Sequence, residues 1–481
     1  MGRLFGTDGV RGIANKELTA ELAYKIGRAG AYVLAGELKH KPVIIIGKDT
    51  RLSGYMLEDA LAAGICSVGA DVVKAGVIPT PGIAYLTRLY NCDAGVVISA
   101  SHNSFEFNGI KFFNNQGYKL PDSIEEEIEA IILGEAEEPE RVTHDKIGKC
   151  IVKGNCAEDY SKFLFNLGKD LSRMKIALDC ANGASYKIAP KVFSDLGAEV
   201  VTVGVEPNGI NINKDCGSTH IDNLKAFVKD QKADIGLAFD GDADRLLAVD
   251  ENGEFVDGDK ILMICGLELK KNGKLKNNAI VGTVMSNLGF DLAGREYDID
   301  IVRTKVGDRY VLEEMLNKGY IIGGEQSGHV IFLEHNTTGD GILTAINLLN
   351  VMKSTDKKLS ELSKCMKSYP QVVVNAKVTN ERKTTYKDDP IIANAINELN
   401  KIFEGNGRVL IRPSGTEPLV RVMIEGDDQK FIESKKAQTE IKYLDETYSP
   451  EGIKKAMQEI SADAPVAPQP TGMPTPQDEA K

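Results

Sequence analysis

Three times along the chain a short β-branched run ends in a small or polar loop and gives way to a helical pattern. The three stretches are PVIIIGKDTRLSG (42–54), MKIALDCANGA (174–184) and NAIVGTVMSN (278–287). Strands alternating with helices require α/β layers, with ligand loops at the carboxyl ends of the strands. Their likeness is one of pattern, and it hints at a repeated α/β unit. A chain of 481 residues is also too long for one ordinary core, so three or four domains are expected.

Composition shifts suggest where the domains part. An acidic, apolar-poor stretch at 134–150, GEAEEPERVTHDKIGKC, reads as a linker closing a first α/β domain at 1–150. A second, 151–253, ends where VDENGE makes a turn, and a third, 254–369, ends at Tyr369-Pro370. VVVNAKV (372–378) opens a different pattern, 370–446, with later strands expected around 408–412 and 419–425. The remainder, 447–481, reads as helical and then as a disordered tail, because its last 21 residues carry five of the chain's 17 prolines and little apolar surface.

Hydrophobic content of 42% and charged content of 27% are those of a globular protein. A formal net charge of -12 argues against a broad basic face for nucleic acid, while leaving local anion sites open. Eight cysteines stand singly, with no CxxC pair, which suits reduced thiols in a cytosol. MGRLFGTDGVRG does not read as a signal peptide, and no apolar run is long enough for a bilayer. A soluble cytoplasmic protein without a membrane partner is the expectation.

The densest chemistry lies in FDGDADR (239–245), where Asp240, Asp242 and Asp244 follow the apolar stretch ADIGLA. Unpaired, the three carboxylates would repel one another and raise each other's pKa. Oxygen-only ligands at close spacing suit a hard cation such as Mg²⁺ or Ca²⁺. A turn with solvated acids is the plain alternative. An EF-hand loop, counted from Asp240, would find Glu251 at position twelve but Arg245 where position six needs Gly. An aspartyl phosphatase would make Asp240 a covalent nucleophile.

A second stretch, AGVVISASHNSFEFNGIKFF (94–113), runs a strand into a loop with Ser99, Ser101, His102 and Asn103. A loop serine is ordinarily a turn or cap residue, and GxSxG is absent. Phosphorylation would bring about -1.5 to -2 charge and three acceptor oxygens. A divalent cation between such a group and the three aspartates would bind both and polarise the phosphoryl group for transfer. Two more loops suit a phosphosugar. In IRPSGTEPLVRV (411–422), Arg412, Ser414, Thr416 and Arg421 surround Gly415, whose backbone can approach an anion. GGEQSGHV (323–330) offers Glu325, Ser327 and His329, which suit sugar hydroxyls or an amine. Each of these loops also reads as an ordinary turn.

Taken together, GRLFGTDGVRG, ISASHN, NGIKFF, DGDADR, KVGDRYV, GGEQSGH and RPSGTEP resemble the α-D-phosphohexomutase superfamily over about residues 1–445, and within it the bacterial phosphoglucosamine mutases. The resemblance implies three similar mixed α/β domains and a smaller α+β fourth domain around a central cleft. It implies interconversion of glucosamine 6-phosphate and glucosamine 1-phosphate, on the route to UDP-N-acetylglucosamine. Ser101 would carry a phosphate, with Mg²⁺ between it and Asp240, Asp242 and Asp244. A sugar 1,6-bisphosphate would form and serve as primer. Arg412, Ser414, Gly415, Thr416 and Arg421 would grip the idle phosphate, while Glu325 and Ser327 hold the sugar. Lys111, Arg245 and His329 would handle protons or charge, and Arg11 would face the cleft. A homodimer is one expected assembly.

The chain departs from the family pattern at two places, and three other readings stand beside the resemblance. Ser104 stands where many relatives have Pro, placing a second hydroxyl near Ser101. Beyond about Asp427 the chain leaves the family pattern. A mutase for glucose or mannose phosphates would differ only in the sugar accepted at 323–330. A phosphatase of the aspartyl type, or a metal-binding protein without transfer activity, would belong to other classes.

Overall fold

The computed structural model describes residues 4–428, except 7, 37, 380–381, 389, 391–392, 394–396, 398–400, 402, 404–406 and 414–418. The helix-like segment and the tail expected beyond 428 therefore lie outside the described residues. Of the described residues, those within 4–286 and 290–367 form one compact unit, and those within 287–289 and 368–428 form another.

The first unit contains three sheets with one recurring topology. In the first, Val43–Lys48 lies between parallel Asp71–Val77 and Ala94–Ile98, and Phe107–Asn114 returns antiparallel to Ala94–Ile98. In the second, Lys175–Asp179 lies between parallel Glu199–Val203 and Ile235–Phe239, and Leu246–Asp250 returns antiparallel. In the third, Ala279–Thr283 lies between parallel Asp300–Thr304 and Ile322–Gly324, and Val330–Phe332 returns antiparallel. Each copy begins at its central strand, so the three strand-then-loop stretches of the sequence start three equivalent units. The repeat suggested by pattern alone is real.

Strand burial explains the β-branched runs. Ala94–Ile98, Ile235–Phe239 and Ala279–Thr283 are buried at every position. Strands covered on both faces need continuous apolar side chains rather than alternation. One apolar cluster runs through all three sheets, including Ile45, Ile83, Leu178, Phe193, Phe239, Ile264, Ile280 and Ile346. Asp257 and Asp340 cap the helices Gly258–Lys271 and Gly341–Thr355, accepting the amides of Lys260 and Leu343 at 3.0 Å.

The stretch 134–150 is not a free linker. Val142 donates its amide to the Ser67 carbonyl at 3.1 Å and Gly148 to that of Cys66 at 3.0 Å. Cys150–Val152 then adds a parallel strand beside Asp71–Val77. Backbone pairing fastens a segment whose side chains offer little apolar surface.

The second unit holds a three-stranded antiparallel sheet with Leu419–Gly426 between Gln371–Lys377 and Gly407–Pro413. These strands match the pattern read around 372–378, 408–412 and 419–425. Among the described residues no helix is long and apolar enough to cross a membrane.

Candidate active site

The threefold topology decides where the chemistry lies. The turn after the third strand of each copy carries one of the singled-out motifs. Ser101 follows Ala94–Ile98, the aspartates follow Ile235–Phe239, and Glu325 to His329 follow Ile322–Gly324. The α/β rule puts ligand loops at the strands' carboxyl ends, and all three motifs stand there.

Ser101 is 2% exposed and sits at φ 51°, a left-handed conformation uncommon for serine. The surroundings impose it. Its carbonyl accepts from Arg51 Nη2 at 2.9 Å and Asn213 Nδ2 at 2.8 Å, and its amide donates to Ser99 Oγ at 3.0 Å. Arg51 is fully buried against Asp49 and also donates to the carbonyls of Asn103 and Ser104. The Ser101 hydroxyl then donates to Asp240 Oδ2 at 2.6 Å, joining turns of two different sheets.

Asp240, Asp242 and Asp244 are buried, and their ligand oxygens lie within 4.8 Å of one another, the one carboxylate group among the described residues with metal-holding geometry. Burial, then Asp244 and Asp242, hold the Asp240 carboxyl well above the usual carboxylate range. Asp244 moves the other way: its burial is outweighed by a hydrogen bond and charge from His329, with Lys111 and Arg245 adding to it. Asp242 Oδ2 accepts from Thr80 Oγ1 at 2.7 Å and from Lys111 Nζ at 3.0 Å. Asp242 Oδ1 and Asp244 Oδ1 are buried without a hydrogen-bond partner. Buried acceptors left in this state are costly, so the donor set fits a hard divalent cation.

Other expected residues gather here too. Lys111 is 2% exposed; burial would push its ammonium down, but Asp242 and Asp8 more than offset that and keep it charged. His329 Nδ1 is 3.5 Å from Asp244 Oδ2, while its Nε2 accepts the Gly339 amide at 3.1 Å. Arg245 donates its amide to Asp240 Oδ1 at 3.3 Å. Glu325 Oε1 accepts the Gly307 amide at 3.1 Å, Ser327 is exposed on its turn, and Arg11 pairs with Asp8. Ser104 is exposed and its hydroxyl serves Glu106, so it does not share the place of Ser101.

In the second unit, Arg412 and Arg421 face each other across paired antiparallel strands. Ser414, Gly415 and Thr416 lie outside the described residues.

Sequence reasoning missed Asp8, Asp49, Arg51, Thr80, Lys119, Asn213 and Asp308. Asp8 and Asp308 sit inside the quoted GTDG and VGDR motifs, and Arg51 inside a quoted strand-loop stretch. Thr80, Lys119 and Asn213 meet the site only through folding, and nothing local distinguishes them.

This architecture of three alike α/β units, with a serine on the first and an acidic triplet on the second, has close parallels. Four domain families match in order: phosphoglucomutase/phosphomannomutase α/β/α domain I at 2–139, domain II at 158–253, domain III at 257–369 and the C-terminal domain at 373–440. The chain belongs to the phosphoglucomutase/phosphomannomutase family. It is 62% identical over 447 residues to the phosphoglucosamine mutase of Acetivibrio thermocellus, covering 93% of this chain and 99% of that protein. Its fold is similar to that of a phosphoglucomutase/phosphomannomutase family protein from Burkholderia thailandensis, with a TM-score of 0.76, 24% identity, and 96% and 98% of the two chains covered. An Aspergillus fumigatus N-acetylphosphoglucosamine mutase, solved with GlcNAc-6P and magnesium, matches at a TM-score of 0.60 and 15% identity, over 94% of this chain and 96% of that one.

Proposed function

We propose that this chain is a phosphoglucosamine mutase, interconverting glucosamine 6-phosphate and glucosamine 1-phosphate through a phosphorylated Ser101 and a bound 1,6-bisphosphate. The observation that carries the reading is the 2.6 Å contact between the Ser101 hydroxyl and Asp240, inside a triplet with two unpartnered buried oxygens. The near full-length likeness to the Acetivibrio enzyme supports the choice of sugar.

Asp240, Asp242 and Asp244 would hold Mg²⁺ together with an oxygen on Ser101. Bound there, the ion would neutralise the phosphoryl oxygens and polarise the phosphorus. The chain's own groups do the rest. Phosphoserine gives its phosphoryl group to the free sugar hydroxyl: the Ser101 Oγ–P bond breaks, a sugar O–P bond forms, and the hydroxyl proton passes to a nearby base. Lys111, Arg245 and His329 are the candidates for handling that proton or offsetting charge on the transferring oxygens, His329 from the side of Asp244, since its Nε2 already accepts the Gly339 amide. After the bisphosphate turns over, its other phosphoryl group returns to Ser101.

Glu325 and Ser327 would hold the sugar, and Arg412, Ser414, Gly415, Thr416 and Arg421 the idle phosphate, with Arg11 as a further contact. Fixing reactants in line supplies much of the catalysis for a loose phosphoryl transition state. A sugar bisphosphate primer, a cytoplasmic location and a homodimer belong to the same proposal. The phosphatase alternative gains nothing from the geometry, since Asp240 Oδ2 already accepts the serine hydroxyl.

The test is turnover of glucosamine, glucose and mannose 1-phosphates side by side, with Mg²⁺ and a bisphosphate primer. Preferred turnover of the amino sugar is expected. Equal or better glucose turnover overturns the sugar choice, and net phosphate release in place of isomerisation overturns the mutase.

A further inference from the structure

We infer that Lys119 is a positioning residue for the phosphoryl transfer, setting the charge balance of both Lys111 and His329 through a carboxylate on either side. It lies beyond the strand Phe107–Asn114 and touches neither the acidic triplet nor Ser101. Its ammonium bridges Asp8 Oδ1, at 2.6 Å, and Asp308 Oδ2. Asp8 stands in the chain's first loop, and Asp308 opens the helix Asp308–Lys318 of the third sheet's unit. These are the acids of the two quoted motifs, GTDG and VGDR, that the proposed mechanism leaves without a task.

The bridge is the middle of a longer series in which carboxylates alternate with two lysines and a histidine. Asp8 shares its two oxygens among three cations: Oδ1 takes Lys119, and Oδ2 takes Arg11 and, at 2.9 Å, Lys111. Lys111 in turn reaches Asp242 at 3.0 Å. On the other side Asp308 Oδ2 is 3.5 Å from His329 Nε2, and His329 Nδ1 is 3.5 Å from Asp244. The series therefore runs Asp242, Lys111, Asp8, Lys119, Asp308, His329, Asp244, and both ends are members of the triplet. Since Nε2 already accepts the Gly339 amide, Asp308 acts on the ring by charge at that distance rather than by a hydrogen bond.

Lys119 is the one cation that both carboxylates share. The side chains concerned are only 16% exposed for Lys119, 21% for Asp8 and 18% for Asp308, so solvent screens them weakly. Without Lys119, Asp8 and Asp308 lose their common counter-charge. Asp8 would then draw the Lys111 ammonium toward itself and away from Asp242, and Asp308 would bear on His329 with its charge uncompensated. Removing one member of a partly buried charge set disturbs the others through the same geometry. A purely mechanical tie between the first and third units would predict something different, a loss of stability with the turnover of the folded enzyme unchanged.

The inference rests on the mutase reading, and the experiment separates the two. Steady-state turnover of glucosamine 1-phosphate, with Mg²⁺ and primer, is measured for wild type, Lys119→Met, Lys119→Gln and Lys119→Arg, and for Lys119→Met in an Asp8→Asn background. Thermal unfolding of each is recorded alongside. Lys119→Met is expected to lower kcat about tenfold or more with KM within about threefold, and Lys119→Arg to recover most of the loss. In the Asp8→Asn background the further loss from Lys119→Met should shrink to about twofold, because the two residues act as one unit.

Wild-type kcat in Lys119→Met with only a lowered unfolding temperature overturns the inference, as do losses that simply multiply in the double variant. If Lys119→Met does not fold, Lys119→Gln is read in its place with the same outcomes. A wild-type protein that does not isomerise glucosamine phosphates sinks the mutase reading, and this inference with it.

Discussion

The Ser101 hydroxyl lies 2.6 Å from Asp240 Oδ2, although 139 residues separate the two in the chain. The contact exists because Ser101 and Asp240 occupy equivalent turns of two copies of one α/β unit. Ser101→Ala should lower mutase turnover by about a thousandfold or more, since the proposed covalent carrier would have no substitute. Ser104→Ala should stay within about threefold of wild type, because its hydroxyl serves Glu106 on the surface. Phosphopeptide mapping checks both: phosphate should be found on Ser101 and not on Ser104.

Gly241 stands between the first two aspartates for a steric reason. A Cβ there would lie 2.5 Å from the Ser101 carbonyl oxygen and 2.9 Å from Asn213 Nδ2. The oxygen is backbone and cannot swing aside. Gly241→Ala should therefore cost about 1–3 kcal/mol of stability and move the serine away from the triplet. Chemical denaturation measures the first effect and turnover the second. A variant with unchanged activity would show that the two turns need not approach so closely.

Thr80 orients a candidate metal ligand without touching the metal's place. Its hydroxyl and the Lys111 ammonium occupy Asp242 Oδ2, which leaves Oδ1 as the open oxygen. Loss of such a supporting bond typically weakens metal binding about 10- to 100-fold. Thr80→Val should show that loss in a Mg²⁺ titration followed by calorimetry, and Thr80→Ser should restore it. Equal Mg²⁺ affinity in all three proteins refutes the role.

How much of this could be read beforehand depends on whether a residue's partner is local. The strand runs were legible because strands buried on both faces need unbroken apolar side chains, as in Ala94–Ile98. The aspartate triplet was legible because three like charges at alternate positions need a cation. Thr80 and Asn213 were not legible. Each meets the site through a contact with a chain segment more than 100 residues away, at Asp242 and Ser101 respectively. The stretch 134–150 reads as a linker from its composition, and its backbone pairing along the first sheet was not legible because it leaves no mark in side-chain polarity.

Arg51 separates the shaping of the serine turn from the chemistry done there. It is fully buried, its Nε is 2.8 Å from Asp49 Oδ2, and its two terminal nitrogens reach the carbonyls of Ser101, Asn103 and Ser104. Burial raises the Asp49 carboxyl, and Arg51 and Ser99 oppose that rise. Arg51→Met would strand a buried carboxylate and remove the donors that hold Ser101 at positive φ. Breaking a buried pair in this way costs about 3–5 kcal/mol. Arg51→Lys keeps the charge but has no planar fork to span three carbonyls, so it should retain more stability than Arg51→Met and still lose turnover. Denaturant unfolding and turnover, measured on the same variants, tell the two effects apart. If Arg51→Lys keeps wild-type kcat, the fork is not what shapes the serine turn, and a point charge beside Asp49 is enough.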